Sequence, residues 1–311
     1  MAREVVKVWA PASVANVAVG YDILGFAIHG PGDEVLLKRG TEKGLKIVEI
    51  TGVKGKLPLE VEKNTAGYAA HKLLEHLDAL DEPLEMTIRK KMPFGSGLGS
   101  SAASAVGGVF AVNELLRTGL TKREILKFAV EGEQIADGAW HADNVAPSLL
   151  GGMTLIRDNK TLDVHKLYIP KGLQVVVIYP KVEILTKDSR AILSDTLELR
   201  QHILQSGNLG GFIIGMYNSD FELIKRSLED LIIEPQRSKL IPCFYELKEA
   251  ALANGALGFS ISGAGPSMFA LCNNSLVAEN IIESANKIYG DVNIEIQTFH
   301  SAINNEGAFL F

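Results

Sequence analysis

The first sixty residues predict strands, and "LKIVEI" alternates apolar and polar positions with the period of two expected of one. "VVKVWA", "DEVLLKRG" and "LKIVEI" are β-rich, and glycines and prolines fall between them. "NTAGYAAHKLLEHLDAL" then changes the period, setting Ala69, Leu73, Leu74, Leu77 and Leu80 on one helical face. A strand, "LEMTIRKK", follows. A glycine-rich bend leads into "SSAASAVGGVFAVNELLRTG", which predicts a helix opening at a serine cap with Gly119 near its end. "TKREILKFAVEGEQIA" predicts a third helix capped by Thr121, with Glu124 at capping-box spacing.

Strand character resumes at "GGMTLIRD" and "LQVVVIYP". From residue 186 the pattern predicts helix through to "FELIKRSL". A helix over "IPCFYELKEAALANG" precedes "ALGFSISGAGPSMFALC", a strand broken by a glycine turn. "SLVAENIIESANKIYG" and "VNIEIQTFHSA" add a last helix and strand. Such an order predicts an α+β fold with mainly antiparallel sheets and a boundary within 155–170, dividing the chain into 1–160 and 161–311.

Composition narrows the function classes. The chain has 311 residues and a formal charge of -6, which argues against general binding to nucleic acid or acidic lipid. Neither a secretory signal nor an apolar run of membrane-spanning length occurs, so a cytoplasmic protein with no membrane partner is expected. The two cysteines, Cys243 and Cys272, make no disulfide framework or cysteine-rich metal site.

The chemistry concentrates in "PFGSGLGSSAA", residues 93–103. A loop of small residues between a strand and a helix start offers several backbone N–H groups to one point, and the helix dipole adds positive charge there. Phosphate is the natural ligand; a tight turn packed under a small-residue helix is the alternative. No Gly-Lys-Ser/Thr follows the loop, so it is not a Walker A loop, and its G-x-G-x-G spacing departs from the dinucleotide fingerprint. Protein-kinase signatures are absent.

The loop resembles instead the ATP loop of the GHMP small-molecule kinases. "APASVANVAVGYDILGFA" resembles the first motif of that family, and "SISGAGPSMFAL" the glycine-rich third. The resemblance runs from Ala10 to "INNEGA". It implies the GHMP kinase fold: an N-terminal domain like ribosomal protein S5 domain 2 and a C-terminal ferredoxin-like α/β plait, with ATP in the cleft between them. Residues carried over as the ATP contacts are Asn64, Pro93, Phe94, Gly95, Ser96, Gly97, Leu98, Gly99, Ser100, Ser101, Ala102 and Ala103, with Ser101 and Glu133 as the Mg2+ pair. Asn64 would also serve as a helix cap, and Lys90 and Lys91 could reach a phosphate or be edge-strand lysines.

Within the family, "ANVAVGYDILGFA", "HADNVAPSLLGG", the run from Thr186 to Arg190, and Arg237 in "EPQRSKLIP" resemble the branch whose acceptor is L-homoserine. The chemistry agrees, because a zwitterion needs cations for its carboxylate and acceptors for its ammonium. Arg190 and Arg237 can grip the carboxylate. Asn16, Asp22, His141, Asp143 and Gly263 complete the expected acceptor site. Several family members carry an aspartate base where this chain has Asn144, and an amide cannot take a proton. The resemblance therefore implies transfer without a strong protein base, Asn144 orienting the hydroxyl beside Thr186; Asp143, one residue away, remains a candidate base. A homodimer is expected by analogy. The rivals are a kinase for another small alcohol, a nucleotide sensor of the same fold without turnover, and a decarboxylase of that fold.

Overall fold

The computed structural model describes residues 3–53, 57–93 and 95–311, without the side chain of residue 137. Phe94, expected at the nucleotide, lies outside the described residues.

Strands β1 (Val5–Ala15), β2 (Leu24–Arg39) and β3 (Leu45–Thr51) precede helix α1 (Thr65–His76). β4 (Leu84–Arg89) leads through the glycine loop to α2 (Ser100–Leu116), α3 (Lys122–Asp137) and α4 (Val145–Leu150). Next come β5 (Met153–Asp158), β6 (Asp163–Leu167) and β7 (Gln174–Pro180), then α5 (Thr186–Ala191), α6 (Leu199–Asn218), α7 (Phe221–Ser227), α8 (Glu234–Arg237) and α9 (Phe244–Ala253). β8 (Gly258–Ile261), β9 (Met268–Cys272), α10 (Ser275–Asp291), β10 (Ile296–Ala302) and β11 (Phe309–Leu310) complete the order.

Among the described residues the strands form two sheets. The larger has seven strands in the order β11-β1-β2-β4-β3, with β5 added to β2 and β6 to β5. Only its β3–β4 pair is parallel. The smaller is antiparallel, ordered β10-β7-β9-β8. The expected division at 160/161 falls between β5 and β6, which pair with each other in the larger sheet. The last strand also returns to that sheet, where Trp9 faces Phe309.

Each layer has its own apolar reason. The inner faces of β1, β2 and β4 bury Val8, Val35, Leu37 and Met86 together with α1, α2 and α3. α2 is hydrophobic nearly all round and almost wholly buried, the mark of a central helix. In the second core, Val176, Phe259 and Ala270 of the smaller sheet meet Leu247 of α9 and Tyr289 of α10.

Two expectations are corrected. The helix expected from residue 186 is three helices. Residues 192–198 interrupt it, where the Ser194 hydroxyl donates to Thr196 O at 2.8 Å and the Gln236 side chain accepts from Ser194 N at 2.9 Å. Such local side-chain bonds compete with the helical ladder. A left-handed Ser219 then closes α6, and Asp220 caps α7. The start of α2 is capped not by a serine but by Gly99 at φ 67°; the hydroxyls of Ser100 and Ser101 are committed to carboxylates elsewhere.

Candidate active site

The glycine loop is held at both ends by one buried carboxylate. Asp33 of β2 is fully buried, and its Oδ1 accepts from the N–H groups of Lys91 (2.9 Å) and Met92 (3.2 Å) just before the loop. Its Oδ2 accepts from the hydroxyls of Ser100 (3.1 Å) and Ser104 (3.3 Å) just after it. Lys90 forms a buried ion pair with the same Oδ2, and its Nζ donates at 2.7 Å to both Ser100 O and Ser104 Oγ. A buried ion pair is tolerated when its remaining hydrogen-bonding capacity is satisfied, and this one is bonded on every side. Lys90 is thus an anchor of the loop, and Lys91 pairs with Glu34 rather than reaching for a phosphate.

Gly95, Gly97 and Gly99 all have positive φ, at 64°, 75° and 67°. What approaches the bare backbone first is the chain itself. A Cβ on Gly97 would lie 2.6 Å from Ser262 O and 2.7 Å from Gly265 O in the β8–β9 turn; one on Gly99 would lie 2.4 Å from Ser13 Oγ and 2.7 Å from Asn144 Oδ1. Hydrogen bonds stitch the same seam: Ser262 Oγ to Gly97 O at 2.8 Å, Ser267 N to Ser96 O at 3.0 Å, and Ser13 N to Leu98 O at 3.1 Å. The three sequence motifs thereby meet around one loop.

That loop forms part of the wall of a cleft of about 630 Å³ between the two sheets' elements. Gly95, Ser96, Gly97, Gly99, Ser100 and Ser101 line it, as do Asn64 and Glu133. Leu98, Ala102 and Ala103 are fully buried in the core instead, because their side chains pack α2 against its neighbours. Pro93 also lies off the cleft wall. The Asn64 Oδ1 caps α1 by accepting from Ala66 and Gly67, and its Nδ2 donates to Pro58 O, so its amide is already occupied. Glu133, 6% exposed, accepts from Ser101 Oγ at 2.7 Å. A carboxylate and a hydroxyl at a helix start, beside the glycine loop, are the hard oxygen donors that suit Mg2+. Glu131, its near neighbour, does not line the cleft; burial raises its pKa.

The other end of the cleft is made of charged side chains from distant segments. β1 leads into a turn in which Asn16, Val17 and Ala18 all have positive φ, followed by Asp22 at 59°. Left-handed backbone at non-glycine residues, a β-branched valine among them, is costly and tends to be retained at functional sites. Asn16 organises the turn: its Oδ1 accepts from Asp22 N at 3.0 Å, and its Nδ2 donates to Gly263 O at 2.9 Å. His141 Nδ1 and Asp143 Oδ1 are 2.6 Å apart, and ligand atoms of Asp22, His141 and Asp143 lie within 4.8 Å of one another. Asn144, at the start of α4, accepts from Ser13 Oγ at 2.8 Å through its Oδ1, which directs its Nδ2 to serve as the donor.

Opposite these groups stand two arginines. Arg190 of α5 grips Asp22 with both terminal nitrogens, at 3.1 and 3.2 Å. Arg237 of α8 is 3% exposed, and its Nε, Nη1 and Nη2 donate to Ser189 O, Gly263 O and Tyr21 Oη. Each of those acceptors is uncharged, so the guanidinium is buried without a hydrogen-bonded counter-ion. Burial lowers its pKa, though an arginine keeps its charge. Thr186 and Gly263 line the same space. Sequence reasoning missed Ser13, Tyr21, Asp33 and Ser262. Tyr21 and Ser13 stand inside a recognised motif, but nothing in the pattern tells which partners their hydroxyls find.

Comparison with known proteins follows the same lines. Residues 64–152 match the N-terminal domain of the GHMP kinases, and residues 212–291 match the C-terminal domain of that family. The crystal structure of homoserine kinase from Cytophaga hutchinsonii superposes with a TM-score of 0.97 at 47% identity, covering 99% of this chain and 98% of that one. The homoserine kinase of Chlorobium phaeovibrioides is 41% identical, over 97% of this chain and 98% of its own. That of Chlorobaculum tepidum is 42% identical, over 88% and 87%.

Proposed function

We propose the residue roles below for a chain that belongs to the GHMP kinases and, within them, to the homoserine kinases. Its reaction is the transfer of the γ-phosphoryl group of ATP to the hydroxyl of L-homoserine, giving O-phospho-L-homoserine, a step of threonine biosynthesis. The observation that carries the assignment of roles is the buried, charge-unpaired Arg237 beside Asp22, in one cleft with the Ser101–Glu133 pair.

The loop N–H groups and the start of α2 hold the polyphosphate. Asn64, which also lines the cleft, is the residue assigned to the nucleotide's adenine. Ser101 and Glu133 hold Mg2+, which when bound supplies charge neutralisation for the phosphates. The acceptor's carboxylate sits on Arg190 and Arg237, and its ammonium on Asp22 with help from the His141–Asp143 pair. Asp22 and Arg190 pair with each other across the site. An incoming zwitterion offers the same two charges in complementary order, so it replaces one pairing by two.

Transfer makes a bond from the acceptor oxygen to the γ-phosphorus and breaks the bond to the bridging β–γ oxygen. The hydroxyl proton leaves late, to a phosphoryl oxygen and from there to solvent. Asn144 orients the hydroxyl through its Nδ2, with Thr186 near, and positioning supplies most of the acceleration. Asp143 stays bonded to His141 and does not act as the base. The Asp143→Asn and Asn144→Ala variants test this under saturating substrates. Asp143→Asn is expected to raise the KM for homoserine while keeping turnover within about tenfold. Abolished turnover with unchanged homoserine affinity would make Asp143 the base. An ADP-release assay with L-homoserine, mevalonate and galactose is expected to respond to homoserine alone. The reading also includes a cytoplasmic homodimer, for which light scattering should give twice the chain mass.

A further inference from the structure

Tyr21 precedes Asp22 in the strained turn, and both site arginines converge on its hydroxyl. Its Oη accepts from Arg190 Nη1 at 3.1 Å and from Arg237 Nη2 at 3.3 Å. Both guanidinium carbons also lie over its ring, 5.9 and 5.1 Å from the centroid. The ring is half-buried and stays out of the cleft wall, whereas both arginines and Asp22 line it. Two guanidinium groups this close repel each other, and burial, with the charge of Arg190 as a lesser cause, lowers the pKa of Arg237. The electron-rich ring face and the hydroxyl lone pairs oppose that repulsion while taking up no space in the site. Burial, and next the charge on Asp22, raise the pKa of the phenol, so it is a neutral acceptor at working pH.

We propose that Tyr21 is a positioning residue that holds Arg190 and Arg237 at a common spacing and orientation, so that both can receive the carboxylate of the amino-acid acceptor. Arg190 has a competing partner in Asp22, and Arg237 is fixed by two backbone carbonyls from different segments. Tyr21 hydrogen-bonds both. Without its hydroxyl, Arg190 would follow Asp22, and the fork presented to the carboxylate would open. The cost should fall on binding of the acceptor rather than on chemistry or on ATP.

The inference rests on the assignment of the acceptor site above. Steady-state kinetics of Tyr21→Phe, with L-homoserine and ATP varied in turn, tests it. The variant should raise the KM for homoserine about tenfold, the loss expected for one hydrogen bond to charged groups. Turnover should stay within about twofold and the KM for ATP should not move. Calorimetry of L-homoserine binding to the complex with a non-hydrolysable ATP analogue should show the same weakening. Tyr21→Leu, which also removes the ring, should weaken homoserine further, by about a hundredfold in total. An unchanged homoserine KM in Tyr21→Phe would overturn the proposal, as would equal losses for homoserine and ATP. A wild-type enzyme that fails to turn over L-homoserine would instead sink the acceptor assignment and the proposal with it.

Discussion

On the proposed roles, the two ends of the cleft solve opposite electrostatic problems with different materials. At the phosphate end the chain supplies backbone: three left-handed glycines and a helix start, held by one buried carboxylate on β2. At the acceptor end it supplies charged side chains from four segments far apart in sequence: the turn after β1, the stretch before α4, α5 and α8. Backbone donors suit a ligand with many equivalent oxygens and a fixed shape. A small zwitterion has one charge of each sign, and only separate side chains can answer both. On the proposed roles, generic recognition is local here and specific recognition is tertiary.

Substitutions at each end sharpen the contrast. The largest effect is expected of Glu133→Gln, which keeps the shape and removes the charge beside Ser101. Turnover should fall by about a hundred- to a thousandfold with little change in the homoserine KM, measured at saturating Mg2+. Arg237→Ala comes next. It removes a buried cation, and kcat/KM for homoserine should fall about a hundredfold while the ATP KM holds. Comparable damage to both substrates would mean that the two ends are not separable. Gly97→Ala should act mainly through folding, because its Cβ would meet two carbonyl oxygens of the β8–β9 turn at a positive φ. A loss of about 2 kcal/mol in urea unfolding is expected. Gly95→Ala, whose Cβ would meet, among the described residues beyond its chain neighbours, only Ile184 O at 3.9 Å, should cost about 1 kcal/mol. Equal losses at the two glycines would show that the β8–β9 contact contributes nothing.

The same contrast explains what could be read in advance. The Thr121 capping box, the long α2 and the strands flanking "SGAG" follow from neighbours a few residues apart, where periodicity and capping chemistry act. The break at 192–198 was hidden because its apolar spacing continued across a stretch whose polar side chains form their own bonds. Lys90 looked as free as Lys91. It became an anchor because β2 places Asp33 against it, 57 positions away in sequence.

The order of residues sufficed for the motif set, the glycine loop and most of the helical and strand periods, since these depend on short-range geometry and on residue types at fixed spacing. Folding assigned the partners. It brought Gly97 under the β8–β9 turn, turned the Asn144 carbonyl toward Ser13, buried Arg237 among uncharged acceptors and set Tyr21 beneath two guanidinium groups. Those pairings join positions up to 216 residues apart, and the contribution of each charge depends on burial and on which dipoles face it. Neither quantity exists until the sheets and helices have packed.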